Sequence, residues 1–189
     1  MPKSPNKTKP LIYQLKITLR DSKPPIWRRV QVPGDYDLAK LQRVIEAAMG
    51  WDGYHLHQFY IDNDYYAIPS PEDWEPVIDE RDYKLQDVAT HEKKKFTYEY
   101  DFGDSWEHVI LVEKIIPPEE GVSYPVCVTG KRACPPEDVG GVWGYAEFLE
   151  AIADPEHPEH ESYLEWVGEG FEPETFDKEA VNQLLKTIK

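Results

Sequence analysis

Large aromatic rings alternate with polar side chains between Tyr98 and His108, and this pattern restricts the fold more than any other part of the chain. Side chains of a β-strand point alternately to its two faces, so the rings before the turn share one face: Phe96, Tyr98, Tyr100 and Phe102. Gly103-Asp104 is a favoured two-residue hairpin pair, because glycine adopts positive φ without a Cβ clash. The apolar run Val109 to Ile116 provides the returning strand. The sequence therefore predicts a β-hairpin with one face in the core.

Two strands and a helix are predicted before this hairpin. Apolar residues occupy alternate positions from Leu11 to Leu19 and mostly again from Ile26 to Val32, which is typical of half-buried strands. Because the two strands are close in sequence, we expect them to pair. Apolar residues from Leu38 to Met49 recur with helical spacing. Three residues are suited to cap this helix: Asp35 or Asp37 at its start and Gly50 at its end.

The end of the chain is predicted to change from irregular to helical. Residues 119–144 are rich in proline and glycine and are expected to form an irregular loop. Residues 145–189 form a helical C-terminal part with three predicted helices: Tyr145 to Ile152, His160 to Val167 and Asp177 to Ile188. The element order predicts an α+β fold: a mixed or antiparallel sheet roll with a β-grasp-like core and C-terminal helices. Residues 1–9 are expected to be a disordered tail, and residues 10–189 a single domain.

The composition limits the partners and the compartment. Lys plus Arg number 21 against 36 for Asp plus Glu, and the formal net charge of -15 disfavours non-specific binding to nucleic acid. No apolar run approaches the roughly 18 residues of a membrane helix, and Met1 to Pro10 is polar, without an apolar signal segment. Two cysteines are too few for a disulfide framework, so we expect reduced thiols or ligands. The sequence therefore predicts a cytoplasmic protein without a membrane partner.

Four motifs, in the same order along the chain, together resemble the plasmid pRi ORF-three-like family. They are Ile26-Trp27-Arg28-Arg29, Gly50-Trp51 followed by His55-Leu56-His57-Gln58-Phe59, the stretch Tyr100 to His108, and Arg132 to Asp138 followed by Gly140-Gly141. The resemblance runs from about Leu11 to the C-terminus. It implies an α/β-roll fold, frequent encoding on or beside mobile elements, and no established biochemical activity. Val139 stands where many members have a further cysteine, which weakens any cysteine-based site carried over from the family.

The hairpin turn is expected to gather polar side chains at one end of the sheet, beside the proline-rich segment. The predicted binding residues are Asp101, Asp104, Trp106, His108, Glu137 and Asp138. Exposed aromatic rings framed by loops suit recognition, because they supply contact area at low entropic cost. The leading interpretation is therefore a non-catalytic binding module that presents Trp106, His108 and the Cys127 to Gly141 loop to a protein or a small ligand.

Two other functions fit the same residues less well. A metal-dependent hydrolase acting on a phosphate ester or a peptide needs carboxylate oxygens for the metal and a base within hydrogen-bond reach. It could draw on Asp101, Asp104, Glu107, His108, Glu137 and Asp138. A mobile-element accessory protein would contact DNA through Arg28 and Arg29. Against both stands a purely structural interpretation, in which Asp104 serves the turn and Asp101 pairs with one of these arginines. In that interpretation Glu137-Asp138 caps a helical turn.

Cysteine and histidine side chains raise the question of a bound metal. Cys127 and Cys134, with His108, His55 and His57 available, have the ligand types of a zinc site, although the spacing of the cysteines is looser than in typical structural sites. Two small, partly buried thiols and no cofactor are the favoured interpretation. His55 and His57 are assigned to one face of a strand over residues 54–62, in a mostly apolar row. We therefore expect them to be partly buried rather than ligands.

Overall fold

The protein, described by a computed structural model over residues 9–71, 75–168 and 170–188, is built on one eight-stranded sheet. The strands are β1 (Ile12–Leu19), β2 (Trp27–Pro33), β3 (His57–Ile61), β4 (Asp64–Ala67), β5 (Ile78–Asp79), β6 (Lys95–Tyr100), β7 (Trp106–Ile116) and β8 (Val126–Lys131). Their order across the sheet is β5-β4-β3-β6-β7-β1-β2-β8. Only β4 and β5 pair in parallel among these strands. The α+β class with a mixed sheet is confirmed, and the β-grasp-like core stays a prediction.

Five α-helices in the described parts of the chain lie between and after the strands. They are α1 (Leu38–Met49), α2 (Leu85–Val88), α3 (Gly141–Ala153), α4 (His160–Val167) and α5 (Lys178–Leu185), with a 3-10 turn at Glu80–Asp82. Helices α1, α3 and α5 contribute buried residues to the same core as the sheet. Within the described residues, no helix has the length and apolar character needed to cross a membrane. Most of the tail predicted at residues 1–9 lies outside the described residues.

Alternation along the strands decides which face meets the core. Phe96, Tyr98 and Tyr100 of β6 are all buried, as the ring pattern predicts, and β1 pairs antiparallel with β2. Helix α1 begins at the predicted cap, where the Asp37 carboxylate accepts from the Lys40 amide at 2.7 Å. It ends at Gly50, whose φ of 114° lies in the left-handed region that glycine tolerates.

The turn of the central hairpin differs from the prediction. Tyr100 pairs with Trp106, so five residues connect the strands instead of the expected two-residue Gly103-Asp104 turn. Asp101 and Ser105 both adopt positive φ, 58° and 52°, and the Ser105 amide donates to the Asp101 carbonyl at 2.6 Å. Phe102 is exposed because it lies beyond the strand. The longer turn takes Asp101 off the strand and makes its carboxylate available at the end of the sheet.

Strand β8 lies inside residues 119–144, which the sequence predicts to be irregular, and this prediction is wrong for Val126–Lys131. Helix α3 also begins earlier than predicted, at Gly141. β8 is the last strand of the sheet, and the Asn182 side chain of α5 covers its outer edge. The Asn182 Oδ1 accepts from the Cys127 amide at 2.8 Å, and its Nδ2 donates to the Cys127 carbonyl at 3.0 Å. One side-chain amide therefore replaces the missing neighbour strand at this position.

Replacing Asn182 by alanine is expected to lower the free energy of unfolding by about 2 kcal/mol, because two partly buried backbone groups lose their partners. Urea denaturation measures the change. The neighbouring Gln183 is exposed, so Gln183→Ala is the matched control and should change stability by less than about 0.5 kcal/mol. Equal effects of the two substitutions would show that the Asn182 amide does not stabilise the edge.

Candidate functional site

Four side chains from three separate segments meet at the end of the sheet. His55 comes from the connection between α1 and β3, Asp101 from the hairpin turn, and Glu137 and Asp138 from the loop before α3. The Nε2 atom of His55 lies 3.3 Å from Asp138 Oδ1, 3.6 Å from Asp101 Oδ2 and 3.7 Å from Glu137 Oε2. These four residues are called the His55 cluster below. Its imidazole nitrogen lies close to all three carboxylates.

Hydrogen bonds from the protein orient the two inner carboxylates. Asp101 Oδ1 accepts from the Gly103 amide at 2.9 Å. Glu137 Oε1 accepts from the Asp52 amide at 2.8 Å and from the Tyr100 hydroxyl at 3.1 Å. Each carboxylate therefore has one oxygen held by the protein and the other near His55 Nε2. This is the arrangement in which outer donors fix the direction of an inner ligand.

Two atoms that face each other in the cluster are buried and lack a hydrogen bond. They are His55 Nε2 and Glu137 Oε2, neither of which has a hydrogen-bond partner among the described residues. Buried polar atoms are rarely left in this state, because their desolvation is not compensated. The ligand atoms of His55, Asp101 and Asp138 all lie within 4.8 Å of one another, and they form the one such metal-sized group found in the described parts of the chain.

A second row of polar groups lies beneath the cluster. The Gly53 amide donates to the Tyr100 hydroxyl at 3.2 Å, and the Tyr98 hydroxyl donates to Glu46 Oε1 at 3.2 Å. A Cβ at Gly53 would lie 2.7 Å from Glu46 Oε2, and φ there is +76°, so a side chain would be strained and would displace the end of the Glu46 side chain. Burial raises the pKa of Glu46 and of Glu137, although the hydrogen bonds to each carboxylate oppose the shift.

Exposure differs across the cluster. The side chains of Asp101 and Glu137 are 10% and 13% exposed, whereas Asp138 is 64% exposed. The Tyr54 ring lies over the His55 ring, with centroids 4.5 Å apart, and is itself exposed. The cluster therefore has a buried inner side and an open rim formed by Asp138 and Tyr54.

The other predicted binding residues lie elsewhere. Asp104 Oδ2 accepts from the Gly140 amide at 3.0 Å and ties the hairpin turn to the start of α3. Trp106 and His108 are both fully buried, which corrects the expectation that they are displayed to a ligand. The reason is their position on β7, where alternation puts both on the core face. Trp51 Nε1 donates to His108 Nε2 at 3.2 Å, and His108 Nδ1 lies 3.3 Å from the Tyr98 carbonyl.

The cysteines do not assemble a zinc site with His108. The structure has no group of mutually close ligand atoms containing Cys127, Cys134 and His108 within the residues it describes. Cys127 is buried with its Sγ 3.7 Å from the Thr129 carbonyl, and burial raises the pKa of both thiols. Both nitrogens of His108 also contact protein atoms. The two cysteines are free thiols packed in the interior, Cys134 only partly buried.

The two arginines do not form an exposed basic patch. Arg28 is 1% exposed, and its guanidinium donates to the carbonyls of Ala48, Met49 and Lys131 at 2.8, 3.2 and 3.0 Å. Arg29 pairs with Glu113 through two bonds of 2.6 and 2.8 Å. Arg28 is therefore inaccessible to DNA, and the predicted pairing of Asp101 with either arginine is wrong, since Asp101 lies beside His55.

His55 is available as a zinc ligand in the sequence interpretation, but it is not among the predicted binding residues. The sequence pattern extends the strand back to residue 54, which places His55 and His57 on one face. In the structure β3 begins at His57, whose Nε2 lies 3.0 Å from the buried Glu80 carboxylate, and His55 precedes the strand in a loop. The sequence signal for a loop here is the pair of glycines, Gly50 and Gly53, only three residues apart. Both adopt positive φ in the structure.

The fold and the His55 cluster define an α+β protein with a histidine-carboxylate site at one end of an eight-stranded sheet. Residues 11–180 match the model of the family described as plasmid pRiA4b ORF-3-like protein, and the chain belongs to this family. The match confirms the resemblance inferred from the four motifs.

Two relatives cover almost the whole chain. The uncharacterized protein y4hQ of Sinorhizobium fredii is 41% identical over 183 residues, which span 94% of this chain and 90% of that protein. The crystal structure of MM3350, a protein of unknown function from Methanosarcina mazei Go1, is similar with a TM-score of 0.84 and 42% identity. It covers 91% of this chain and 98% of the other. The sheet-and-helix architecture is therefore shared with a solved structure.

Proposed function

We propose that the protein is a non-catalytic binding module whose His55 cluster holds a divalent cation. The observation that carries the proposal is the pair of buried atoms without hydrogen bonds, His55 Nε2 and Glu137 Oε2, which face each other at 3.7 Å. A cation between them would satisfy both atoms at once. Oxygen and imidazole nitrogen are both ordinary ligands of divalent metal ions.

Electrostatics support a cation at this position. Three carboxylates lie near one imidazole, and a protonated His55 would balance only one of their charges. Carboxylates gathered around one nitrogen repel one another strongly where water is partly excluded. The Glu137 side chain is only 13% exposed. A divalent ion offsets more of this repulsion, and the oriented oxygens of Asp101 and Glu137 need little reorganisation to bind it.

The same charges favour binding over hydrolysis. Three carboxylates outweigh a divalent ion by one unit of negative charge, so the loaded site would still repel a phosphate ester. A metal-dependent hydrolase at this site is therefore the weaker alternative. The rim formed by Asp138 and Tyr54 is the surface where a partner protein or a neutral ligand would meet the loaded site.

The proposal includes a cytosolic location and an association with mobile elements. Both cysteines are free thiols, which is usual for proteins of reducing compartments. The family description refers to a plasmid reading frame. Detection of the protein in the cytosolic fraction of its host would test the first part.

Cation binding is expected to raise the melting temperature of chelator-treated protein. A ligand at about 100 times its Kd stabilises the folded state by about 2.7 kcal/mol, which for a chain of this size corresponds to about 5–10 °C. Manganese chloride is a suitable first probe, with differential scanning fluorimetry as the measurement. Asp101→Asn should abolish most of the shift, because it removes a charged oxygen ligand.

Asp104→Asn is the matched control, since it makes the same charge change on the same turn but outside the cluster. It should leave the shift in place. A wild-type protein whose melting temperature is insensitive to divalent ions would overturn the proposal, as would equal losses in the two variants.

A further inference from the structure

The donor atoms of the His55 cluster distinguish among divalent cations. Resting on the proposed function, we propose that the site selects a first-row transition-metal ion, of the class of Mn²⁺, Fe²⁺ or Zn²⁺, over Ca²⁺ and Mg²⁺. Three features carry this inference: the position of the imidazole, the number of free oxygens and the burial of the inner carboxylates.

The imidazole nitrogen is the central donor. His55 Nε2 lies within 3.7 Å of all three carboxylates, so an ion placed among them meets the nitrogen first. Ca²⁺ and Mg²⁺ are hard ions that take oxygen ligands. Imidazole suits zinc, copper, iron and nickel, whereas carboxylate oxygens suit magnesium, calcium and manganese. The imidazole of His55, which belongs to the metal-sized group with Asp101 and Asp138, is therefore the donor that favours a first-row ion over Ca²⁺ and Mg²⁺.

The oxygen donors are too few for calcium. Protein donors hold Asp101 Oδ1 and Glu137 Oε1, which leaves one free oxygen on each of these carboxylates. Ca²⁺ takes about 6–8 oxygen ligands, and the cluster offers it only these two and the Asp138 carboxylate. The four ligands that Zn²⁺ usually takes match the free atoms more closely.

The inner carboxylates of the site are buried, whereas its outer carboxylate is open to solvent. Asp101 and Glu137 are almost enclosed, whereas Asp138 is 64% exposed at the rim. Mg²⁺ gives up its water reluctantly and binds through few carboxylates. A site that requires a buried nitrogen contact therefore penalises Mg²⁺, and the exposed Asp138 carboxylate marks the side from which an ion would enter.

Isothermal titration of chelator-treated, full-length protein with Mn²⁺, Zn²⁺, Mg²⁺ and Ca²⁺, each alone, tests this selectivity. We expect Zn²⁺ to bind at least about 100-fold more tightly than Ca²⁺ and Mg²⁺, and Mn²⁺ to bind with an affinity between these, because Mn²⁺ is the weakest binder of the first-row series. His55→Asp replaces the nitrogen donor by oxygen, and should weaken Zn²⁺ binding about 10-fold or more. The ratio of Zn²⁺ affinity to Ca²⁺ affinity should fall as a result. His91→Asp is the control, because His91 is exposed and outside the cluster. His55→Asn supplies the same comparison if the aspartate variant does not fold.

The outcomes separate the two proposals. Tight, selective Zn²⁺ or Mn²⁺ binding that His55→Asp weakens supports the inference. Ca²⁺ or Mg²⁺ binding as tight as Zn²⁺ binding would overturn the selectivity while leaving a cation site in place. Zn²⁺ binding unchanged in His55→Asp would place the ion elsewhere and overturn the inference. If none of the four ions binds, the proposed function fails together with it.

Discussion

Replacing Arg28 by methionine is expected to lower the free energy of unfolding by about 3–5 kcal/mol. The guanidinium satisfies the carbonyls of Ala48 and Met49, which lie at the C-terminal end of α1 where no further turn of helix can pair them. It also bonds the Lys131 carbonyl on β8. Methionine fills a similar volume but donates no hydrogen bond, so these three carbonyls and the Trp27 carbonyl, which the guanidinium also bonds at 2.9 Å, lose a partner at about 1 kcal/mol each. The favourable charge at the helix terminus is lost as well.

Chemical denaturation of Arg28→Met and Arg29→Met provides the comparison. Arg29 neighbours Arg28 in sequence but points to the opposite face of β2, where it pairs with Glu113. Because that pair is partly exposed, Arg29→Met should cost no more than about 1 kcal/mol. A loss for Arg28→Met as small as for Arg29→Met would show that the carbonyls find other partners and that the guanidinium does not hold α1 against the sheet.

Arg28 also illustrates what the sequence does and does not reveal. The alternation of Ile26, Arg28, Val30 and Val32 places all four on one face, and the structure buries all four. Periodicity assigns a residue to a face, but it does not show what covers that face. The guanidinium is tolerated there because the end of α1 and β8 bring three carbonyls to it, and both contacts depend on residues distant in sequence.

Strand β8 was missed for a related reason. Val126 to Lys131 contains a glycine, follows a proline and is mostly half-buried, so its local pattern is weak. It forms a strand because β2 offers an unpaired edge, and because α5 covers its other side through Asn182. Neither partner is visible in a short window of sequence.

The candidate site was predicted in part. The expectation that Asp101, Glu137 and Asp138 share one end of the sheet agrees with their positions beside His55. His108 was placed at this end because the turn was taken as two residues long, whereas His55 was misassigned because β3 was extended back to residue 54. The five-residue turn releases Asp101 from β6, while the strict alternation of β7 keeps His108 in the core. The binding role of these residues stays a proposal.

Acid is expected to destabilise the protein through His108. Burial lowers the pKa of His108 from its ordinary value to about 4, and Tyr98 and Trp106 backbone groups oppose the shift. The unfolded chain therefore takes up a proton near pH 6.5 that the folded chain refuses until about pH 4. Stability falls as the pH falls through this window, by about 2 kcal/mol from pH 7.5 to pH 5 and by about 3 kcal/mol by pH 4. Above about pH 6.5 the contribution of His108 is constant.

Other groups titrate in the same range, so the effect of His108 has to be measured as a difference. Burial raises the pKa of Glu46 and Glu137, which opposes acid destabilisation, whereas the Arg29 hydrogen bond lowers the pKa of Glu113, which adds to it.

Urea denaturation of wild type and His108→Gln at several pH values removes these shared contributions. The stability gap between the two proteins should shrink by about 2 kcal/mol from pH 7.5 to pH 5, because glutamine takes up no proton. His91→Gln, at an exposed histidine, should show a constant gap. A constant gap for His108→Gln as well would mean that His108 accepts a proton inside the fold, and that the Trp51 and Tyr98 contacts do not keep it neutral.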